Sequence, residues 1–307
     1  MTEENNFASR LRAAIEAKKS CLVVGLDPVL ERLPPETFSQ IGVRASGGEG
    51  ATARASVAFA LFLEKVIEAV QDSAVAVKPN CAFFERFGAA GWDALRLVCS
   101  RAQQAGLLVI LDAKRGDIGH TAAAYADALL GDLPDTLGPC VDAVTLSPYL
   151  GRDSVEPFLQ AVSTAGKGLF VLVRTSNASA GDIQDLAVDG RPLHLHVAEQ
   201  VREWGRESED ADGWSPVGAV VGATDATHGE AIRRVLGKRF LLVPGVGAQG
   251  GRPEDLRGFF LDGGDGVVVN ASRSILFAYE KRGGAWPDAI RAASEETRQA
   301  LERVRHA

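Results

Sequence analysis

Short apolar runs rich in β-branched residues recur along the chain, and each ends in polar or charged residues. Near-continuous apolar runs bounded by turns are typical of strands that are buried on both faces of a parallel sheet. The pattern therefore predicts parallel strands at 21–27, 74–80, 107–114, 143–149, 169–176, 217–224, 239–247 and 266–272.

The segments between these runs have the apolar spacing of amphipathic helices, as in "SVAFALFLEKVIEAV" and "HTAAAYADALL". Alternation of strands with helices indicates βαβ units. Eight such units close a TIM (β/α)8 barrel, and 307 residues match its usual length of about 250 plus insertions. We therefore predict an α/β fold with one TIM barrel domain over residues 1–307.

Three segments do not belong to the regular strand–helix repeat. An amphipathic helix is predicted at 7–19, where it would cover the floor of the barrel. The stretches 31–56 and 178–215 exceed ordinary connections and are predicted to be surface insertions or loops, the first of them mobile. No shift in composition marks a second domain.

Composition narrows the classes of partner. The net charge is −7 and no long basic run occurs, which argues against nucleic acid or an anionic membrane as the main partner. No apolar stretch approaches the ~20 residues that span a bilayer, and the acidic, then amphipathic N-terminal segment is unlike a signal peptide. We expect a cytoplasmic protein. The four cysteines are far apart, so neither a disulfide framework nor a metal knuckle is predicted.

Polar side chains concentrate where the predicted strands end. In a TIM barrel the active site lies at the carboxyl ends of the strands. Alternation along a strand places Asp112 and Lys114 on one face, about 6.6 Å apart, inside the barrel mouth. The polar residues at the predicted ends are Asp27, Lys78, Asp112, Lys114, Ser147, Ser176 and Thr224, followed by "PGVGAQGG" and "NASRS".

Lys78, Asp112, Lys114 and Asp117 form a charged tetrad with two interpretations. In one, Lys78 pairs with Asp112 across neighbouring strands, and Asp117 caps a helix that opens at Ile118. In the other, the four charges are held against a charged substrate. Burying charges without a purpose is costly, which favours the second interpretation.

The stretch "PGVGAQGG" contains Gly245, Gly247 and Gly250 in a G-x-G-x-x-G spacing. A dinucleotide site is not favoured, because the motif follows the seventh run instead of the first and no acidic residue ends the next strand. The loops after strands 7 and 8 of a barrel commonly bind phosphate. With Gln249 and Arg273 they would suit a phosphate monoester, although a flexible turn with an exposed arginine remains an alternative.

The histidines offer no obvious chemistry. His194 and His196 form an H-x-H without a clear carboxylate partner and are predicted to face solvent. His228 is predicted to start a helix, and no role is assigned to His120. Because no cluster of histidines with carboxylates stands out, no metal site is predicted.

Taken together, these motifs resemble the orotidine 5′-monophosphate decarboxylase family. The family signature D-x-K-x-x-D corresponds to Asp112-Ala-Lys114-Arg-Gly-Asp117. The two insertions resemble those of the longer bacterial branch. The other marks follow in the family's order: Ile118 and Thr121 after the signature, Asp27 after the first strand, Lys78 in "VKPN", Ser176 in "RTSN", "PGVGAQGG", and Arg273 in "ASRS".

The resemblance implies a homodimeric barrel that converts orotidine monophosphate to uridine monophosphate (UMP), the last step of de novo pyrimidine synthesis, with neither a metal nor an organic cofactor. It implies that Lys114 donates a proton to C6 and that Asp112 faces the departing carboxylate. Lys78 would bind ribose hydroxyls and hold Asp112.

The resemblance also assigns binding residues. Asp117, with Ile118 and Thr121, would reach into the neighbouring subunit's site. The implied substrate contacts within the subunit are Asp27 for ribose, Ser176 for the pyrimidine edge, Gln249 and Arg273 for the phosphate, and Pro244 and Gly245 of the same glycine-rich loop.

Three other functions share part of this sequence pattern. Mg²⁺-dependent sugar-phosphate lyases and decarboxylases of the same barrel superfamily share D-x-K-x-x-D, but they place an acidic metal ligand where this chain has Lys78, which would repel Mg²⁺. A Rossmann-type oxidoreductase rests only on "GVGAQG". A non-catalytic phosphate-binding barrel remains an alternative function, although a complete tetrad is hard to explain in such a protein.

Arg115 is out of phase with the tetrad and is predicted to be a solvated or interface residue.

Overall fold

The apolar runs form parallel strands that close into a barrel. The computed structural model describes residues 6–44, 50–131, 138–223, 226–246 and 251–307. The strands of the barrel are β1 (Leu22–Leu26), β2 (Ala76–Pro79), β3 (Leu108–Arg115), β4 (Ala143–Leu146), β5 (Gly168–Arg174), β8 (Ser215–Val221), β9 (Arg239–Pro244) and β10 (Val267–Ala271). In this part of the chain, these eight parallel strands pair in the closed order β1-β10-β9-β8-β5-β4-β3-β2, as the TIM barrel prediction requires.

A hairpin of β6 (Ala187–Val188) and β7 (Arg191–Pro192) lies outside the barrel. Within the described residues, no helix combines the length and the apolar character needed to cross a bilayer. The helices are α1 (Phe7–Lys18), α2 (Pro35–Arg44), α3 (Ala51–Val70), α4 (Cys81–Glu85), α5 (Gly88–Gln104), α6 (Gly119–Leu130), α7 (Glu156–Ala165), α8 (Gly181–Gln184), α9 (Leu193–Trp204), α10 (Ala226–Leu236), α11 (Arg273–Leu276) and α12 (Trp286–Arg305).

Alternation along the strands divides the core in two. Val23, Ile110 and Phe170 belong to the apolar cluster inside the barrel. Their neighbours Val24 and Val171 belong to the larger cluster between the strands and the outer helices. Because successive strand side chains point to opposite faces, nearly every position of these strands is apolar except at their carboxyl ends.

Helix α1 lies at the amino end of the barrel, in the segment where a covering helix was predicted. Its Asn6 cap accepts a hydrogen bond from the Ser9 N–H at 2.9 Å, which satisfies one donor of the first turn. The ring of Phe7 meets that of Phe170 edge-on, with centroids 5.9 Å apart. A Cβ at Gly168 would lie 2.2 Å from the Phe7 ring, so this close contact requires glycine. The floor is closed, and the opposite end is left for the site.

The two long connections contain regular structure. Helix α2 and the start of α3 occupy most of 31–56, and the predicted mobility falls partly on 45–49, outside the described residues. Proline at the first position of α2 and alanine-rich sequence at the start of α3 both suit helices. The stretch 178–215 holds α8, the β6–β7 hairpin and α9, which packs on β5 and β8 as a regular barrel helix.

Candidate active site

The charged residues lie at the carboxyl ends of three neighbouring strands. Gly25 of β1 pairs in register with Lys78 of β2, which places Asp27 just beyond the same rim. Asn80, after β2, bridges to Asp112 of β3. Parallel pairing therefore brings Asp27, Lys78 and Asp112 to one edge of the mouth.

Asp112 stands between two ammonium groups. Its Oδ2 accepts a hydrogen bond from Lys78 Nζ at 2.7 Å, and its Oδ1 accepts one from Lys114 Nζ at 2.5 Å. The side chains of Lys78 and Asp112 are buried, whereas that of Lys114 is 47% exposed. Lys78 thus pairs with Asp112 across neighbouring strands, and the ammonium of Lys114 remains open to a ligand.

The pKa values of the buried pair are shifted in opposite directions by their mutual attraction. Burial alone raises the pKa of the Asp112 carboxyl, but the ammonium groups of Lys78 and Lys114 outweigh it and hold that pKa well below its ordinary value. Burial alone lowers the pKa of Lys78, but the carboxylates of Asp112 and Asp27 outweigh it and raise that pKa. Both groups are therefore charged near neutral pH.

Strand β3 is irregular where it carries these charges. Its pairing with β4 shifts between Leu111 and Arg115. Within this irregularity Lys114 has φ +47°, a left-handed conformation that non-glycine residues rarely adopt. Such strain is found where the surroundings over-determine it, often at active sites. Asp112 and Lys114 were predicted to share one face of a regular strand, but a bulge interrupts the strand between them. The Lys114 side chain nevertheless contacts Asp112.

A cavity of about 470 Å³ opens above this cluster. It brings together eight of the predicted residues: Asp27, Lys78, Asp112, Lys114, Ser176, Pro244, Gly245 and Arg273. Ten further lining residues were not individually predicted from the sequence: Asn80, Thr145, Leu172, Thr175, Asn177, Val220, Leu242, Val246, Asn270 and Ser272. Among these, Thr145 had a signal in the sequence, because it is a lone hydroxyl within the apolar run "AVTL".

Two buried oxygens in the cavity wall have no hydrogen-bond partner among the described residues. They are Oδ1 of Asp27 and Oδ1 of Asn270. A buried polar atom without a partner costs free energy, and it is usually satisfied by water or by a ligand. Both oxygens are acceptors, so they suit the hydroxyl groups of a sugar.

Asp117, Ile118 and Thr121 do not line this cavity. Helix α6 begins at Gly119 with Ile118 as its cap residue, and Ile118 makes no side-chain cap bond. Oδ1 of Asp117 accepts the Ile118 N–H at 2.8 Å, which ties down the adjacent residue but does not cap the helix as predicted. The side chain of Ile118 is 53% exposed.

Three predicted loop positions lie outside the described residues, namely Gln249 with its neighbouring glycines Gly247 and Gly250, and so does Thr224. Ser147 lies at the end of β4, as predicted, but not in the cavity lining. Its main-chain N–H donates to the Arg115 carbonyl at 2.8 Å.

Arg115 is held within its own subunit. Its guanidinium pairs with Glu85, donates to the Ala113 carbonyl at 3.0 Å and lies 5.4 Å from the centre of the Tyr125 ring. Its side chain is largely buried. Of the two predicted alternatives, a solvated residue is not favoured, because the guanidinium has an acidic partner on α4 that was not visible from the sequence, and an interface residue stays a prediction.

The prediction that His194 faces solvent is also wrong. Its side chain is 1% exposed, and its Nδ1 lies 2.9 Å from the Gln184 carbonyl and 3.2 Å from Asp185 Oδ1. Burial and the nearby His228 lower the pKa of His194, against a smaller raising effect from the Gln184 carbonyl and Asp185. The carboxylate partner, Asp185, directly follows α8 within the stretch 178–215, which was predicted to be an insertion or loop.

Possible metal-ligating atoms of Asp185, His194 and His228 lie within 4.8 Å of one another. However, the guanidinium of Arg174 binds both oxygens of Asp185, at 3.0 and 2.9 Å. A cation placed there would be repelled by that fixed positive charge. The cluster is therefore an ion-pair network that supports the loop after β5.

Comparisons with known proteins show what the chain as a whole is similar to. Residues 22–285 match the family model described as "Orotidine 5'-phosphate decarboxylase / HUMPS family". The orotidine 5′-phosphate decarboxylase of Rhodopirellula baltica is 45% identical over 96% of this chain and 99% of its own. That of Caldicellulosiruptor saccharolyticus is 39% identical over 90% of each chain. The solved structure of Leishmania donovani OMP decarboxylase superposes with a TM-score of 0.75, at 35% identity over 98% of this chain and 100% of that one.

Proposed function

The chain belongs to the orotidine 5′-phosphate decarboxylase family, and from that premise we propose that it converts orotidine 5′-monophosphate to UMP by releasing CO₂. The observation that carries the proposal is the Lys78–Asp112–Lys114 cluster at the base of the cavity. Strained main chain of this kind is concentrated at active sites, and the Lys114 side chain at this position is 47% exposed.

The chemistry explains the need for Lys114. Loss of CO₂ from C6 of the pyrimidine leaves a carbanion without a neighbouring electron sink. Enzymes lower barriers by up to about 20 kcal/mol, and fixed charges aimed at the developing charge are the largest contribution to such catalysis. An ammonium held by Asp112 can stabilise the negative charge at C6 and then deliver a proton there.

Asp112 and Lys78 supply the rest of the charge pattern. The substrate carboxylate beside Asp112 would meet a like charge, which is relieved when CO₂ departs. Lys78 keeps Asp112 in place and ionised, since it binds the oxygen that Lys114 does not. The apolar side chains of Leu172, Val220 and Leu242 border the cavity and suit a neutral CO₂ molecule better than water.

Other groups that line the cavity suit a ribose phosphate. The free oxygens of Asp27 and Asn270 can accept hydrogen bonds from ribose hydroxyls. Arg273 at the start of α11 and the positive-φ Gly245 offer a guanidinium and a close main-chain approach for the phosphate. Ser176 lies on the loop after β5, where it can meet the pyrimidine edge.

We infer further that two copies of the chain share their active sites. Asp117, Ile118 and Thr121 do not line the cavity of their own subunit, although Asp117 ends the family signature and the other two residues follow it. Ile118 itself is exposed, and so is Tyr125 on α6. Two more exposed apolar side chains, Tyr149 and Leu150, follow β4. Exposed apolar surface of this kind is typical of an interface between subunits.

A cytoplasmic location stays a prediction.

The Mg²⁺-dependent alternative is not favoured. It requires an acidic metal ligand at the position of Lys78, and the ammonium found there is bound to Asp112. A cation at the same place would face the charges of Lys78 and Lys114.

The proposal is tested by replacing Lys114 with alanine. A general acid typically contributes about a hundredfold to ten-thousandfold to the rate of a reaction. Lys114→Ala should therefore lower kcat for CO₂ release by at least about a hundredfold. The measurement is the fall in absorbance as orotidine monophosphate becomes UMP, with EDTA present throughout. Activity that requires added Mg²⁺ would instead support the alternative.

A matched control removes an exposed lysine far from the cavity. Lys65→Ala on α3 breaks only a surface pair with Glu68 and should keep wild-type turnover. Full turnover by a folded Lys114→Ala variant would contradict the role of Lys114, and no turnover by the wild-type protein would contradict the function itself.

A further inference from the structure

Thr145 is the single residue of β4 that faces the bulge in β3. In the pairing of the two strands, Leu111 lies opposite Val144 and Arg115 lies opposite Leu146. Three residues of β3, at positions 112–114, are therefore matched to Thr145 alone. A bulge of this kind leaves main-chain groups without their regular ladder partners.

The hydroxyl of Thr145 replaces the missing partner of Lys114. The Lys114 N–H donates to Thr145 Oγ1 at 3.0 Å, at the residue whose φ is +47°. Thr145 is 1% exposed, and its main chain is fixed by pairing with Phe170 of β5. A rigid acceptor therefore holds the left-handed conformation of Lys114.

The same hydroxyl holds Asp112. Thr145 Oγ1 donates its proton to Asp112 Oδ1 at 3.0 Å. That oxygen also receives Lys114 Nζ, and the other carboxylate oxygen receives Lys78 Nζ. These contacts form one closed ring. It runs from the main chain of Lys114 through the hydroxyl of Thr145 and the carboxylate of Asp112 to the ammonium of Lys114.

We propose that Thr145 is a positioning residue that fixes both the main chain of Lys114 and the carboxylate of Asp112 for the reaction. The inference rests on the proposed decarboxylase function. When the substrate carboxylate approaches, repulsion pushes Asp112 away from it. Thr145 and Lys78 oppose that movement from two directions, so Asp112 and Lys114 keep the positions that the reaction at C6 needs.

The test compares Thr145→Val with Thr145→Ser. Valine keeps the shape of threonine but can neither donate nor accept, whereas serine keeps the hydroxyl. Thr145→Val should lower kcat between about tenfold and a hundredfold, the cost of a small misplacement of catalytic groups. Its KM and its affinity for UMP should stay within about threefold of wild type, because the contact acts on charges used in the reaction more than on binding. Thr145→Ser should recover most of the lost kcat.

A second readout does not depend on activity. Hydrogen exchange of the Lys114 amide in the unliganded protein should be faster in Thr145→Val than in the wild type and in Thr145→Ser, because the N–H loses its acceptor. Wild-type kcat in Thr145→Val, equal impairment in the serine variant, or a change confined to KM would each overturn the proposal. Failure of the wild type to release CO₂ would overturn the proposed function, and the exchange rates would still decide whether Thr145 holds Lys114.

Discussion

At the scale of the residue, the site depends on one carboxylate held by three donors. Asp112 receives the ammonium groups of Lys78 and Lys114 and the hydroxyl of Thr145. The charged members could be identified from the sequence, because each of them stands at the end of an apolar strand. In addition, Asp112 and Lys114 have the spacing of the family signature D-x-K-x-x-D. Thr145 stands out in the sequence only as a lone hydroxyl within an apolar run, and its role is not visible until the bulge in β3 is known.

Removal of the Asp112 charge is expected to destabilise the fold as well as the reaction. Asp112→Asn leaves the buried Lys78 without its ionised partner, and breaking such a pair costs about 3–5 kcal/mol of unfolding free energy. The folded-state pKa of Asp112 is lowered, so its stabilising contribution is present above the unfolded value of about 4 and is lost as pH falls through the folded value.

Urea unfolding of the wild type and of Asp112→Asn checks this prediction. The difference in unfolding free energy should be largest near neutral pH and should narrow as pH falls below about 4. Asp153→Asn is the matched control, because that carboxylate is exposed, and its effect should stay within about 0.5 kcal/mol. A difference for Asp112→Asn that is independent of pH would contradict the charge argument.

At the scale of the element, the strands were predictable and the connections were not. Buried parallel strands require continuous apolar runs, so all eight barrel strands could be located from hydrophobic pattern alone. The bulge in β3 and the burial of His194 depend on contacts with other segments, and such contacts leave no local period, which explains why His194 was misplaced. The β6–β7 hairpin is local instead, because its strands pair across Asp189 and Gly190, whose positive φ angles suit a two-residue Asp-Gly turn.

The segment α8 also braces the loop that carries Ser176. Oε1 of Gln184 accepts the Thr175 N–H at 2.9 Å, and Nε2 of Gln184 donates to Thr175 Oγ1 at 2.8 Å. Arg174, one residue before, is tied to Asp185. Because Ser176 follows directly, its position in the cavity depends on an element outside the barrel.

Loss of this brace is expected to weaken binding more than turnover. Gln184→Ala should raise KM about fivefold, for a loss of about 1 kcal/mol of hydrogen bonding, with kcat nearly unchanged. Steady-state kinetics measure both constants. Gln160→Ala, at an exposed position of α7, is the control. A fall in kcat at constant KM would show that the loop serves the chemical step instead.

At the scale of the whole molecule, the signature D-x-K-x-x-D is divided. Asp112 and Lys114 lie in the cavity of their own barrel, whereas Asp117 lies outside it on the approach to α6. The side chain of Ile118, next to Asp117, is exposed, as the contact with a second subunit proposed above requires. In that proposed dimer a two-fold axis makes the contacts reciprocal, so that each Asp117 would lie at the partner's cavity.

Mixing two inactive variants tests this division. Lys114→Ala and Asp117→Ala should each be nearly inactive alone, but a dimer with one copy of each contains one cavity in which both residues are intact. Random mixing makes half of the molecules such dimers, so about a quarter of wild-type activity should return. Copies with different tags, captured together, show that mixed dimers have formed. If mixed dimers form and activity does not return, Asp117 acts within its own subunit and the shared site is wrong.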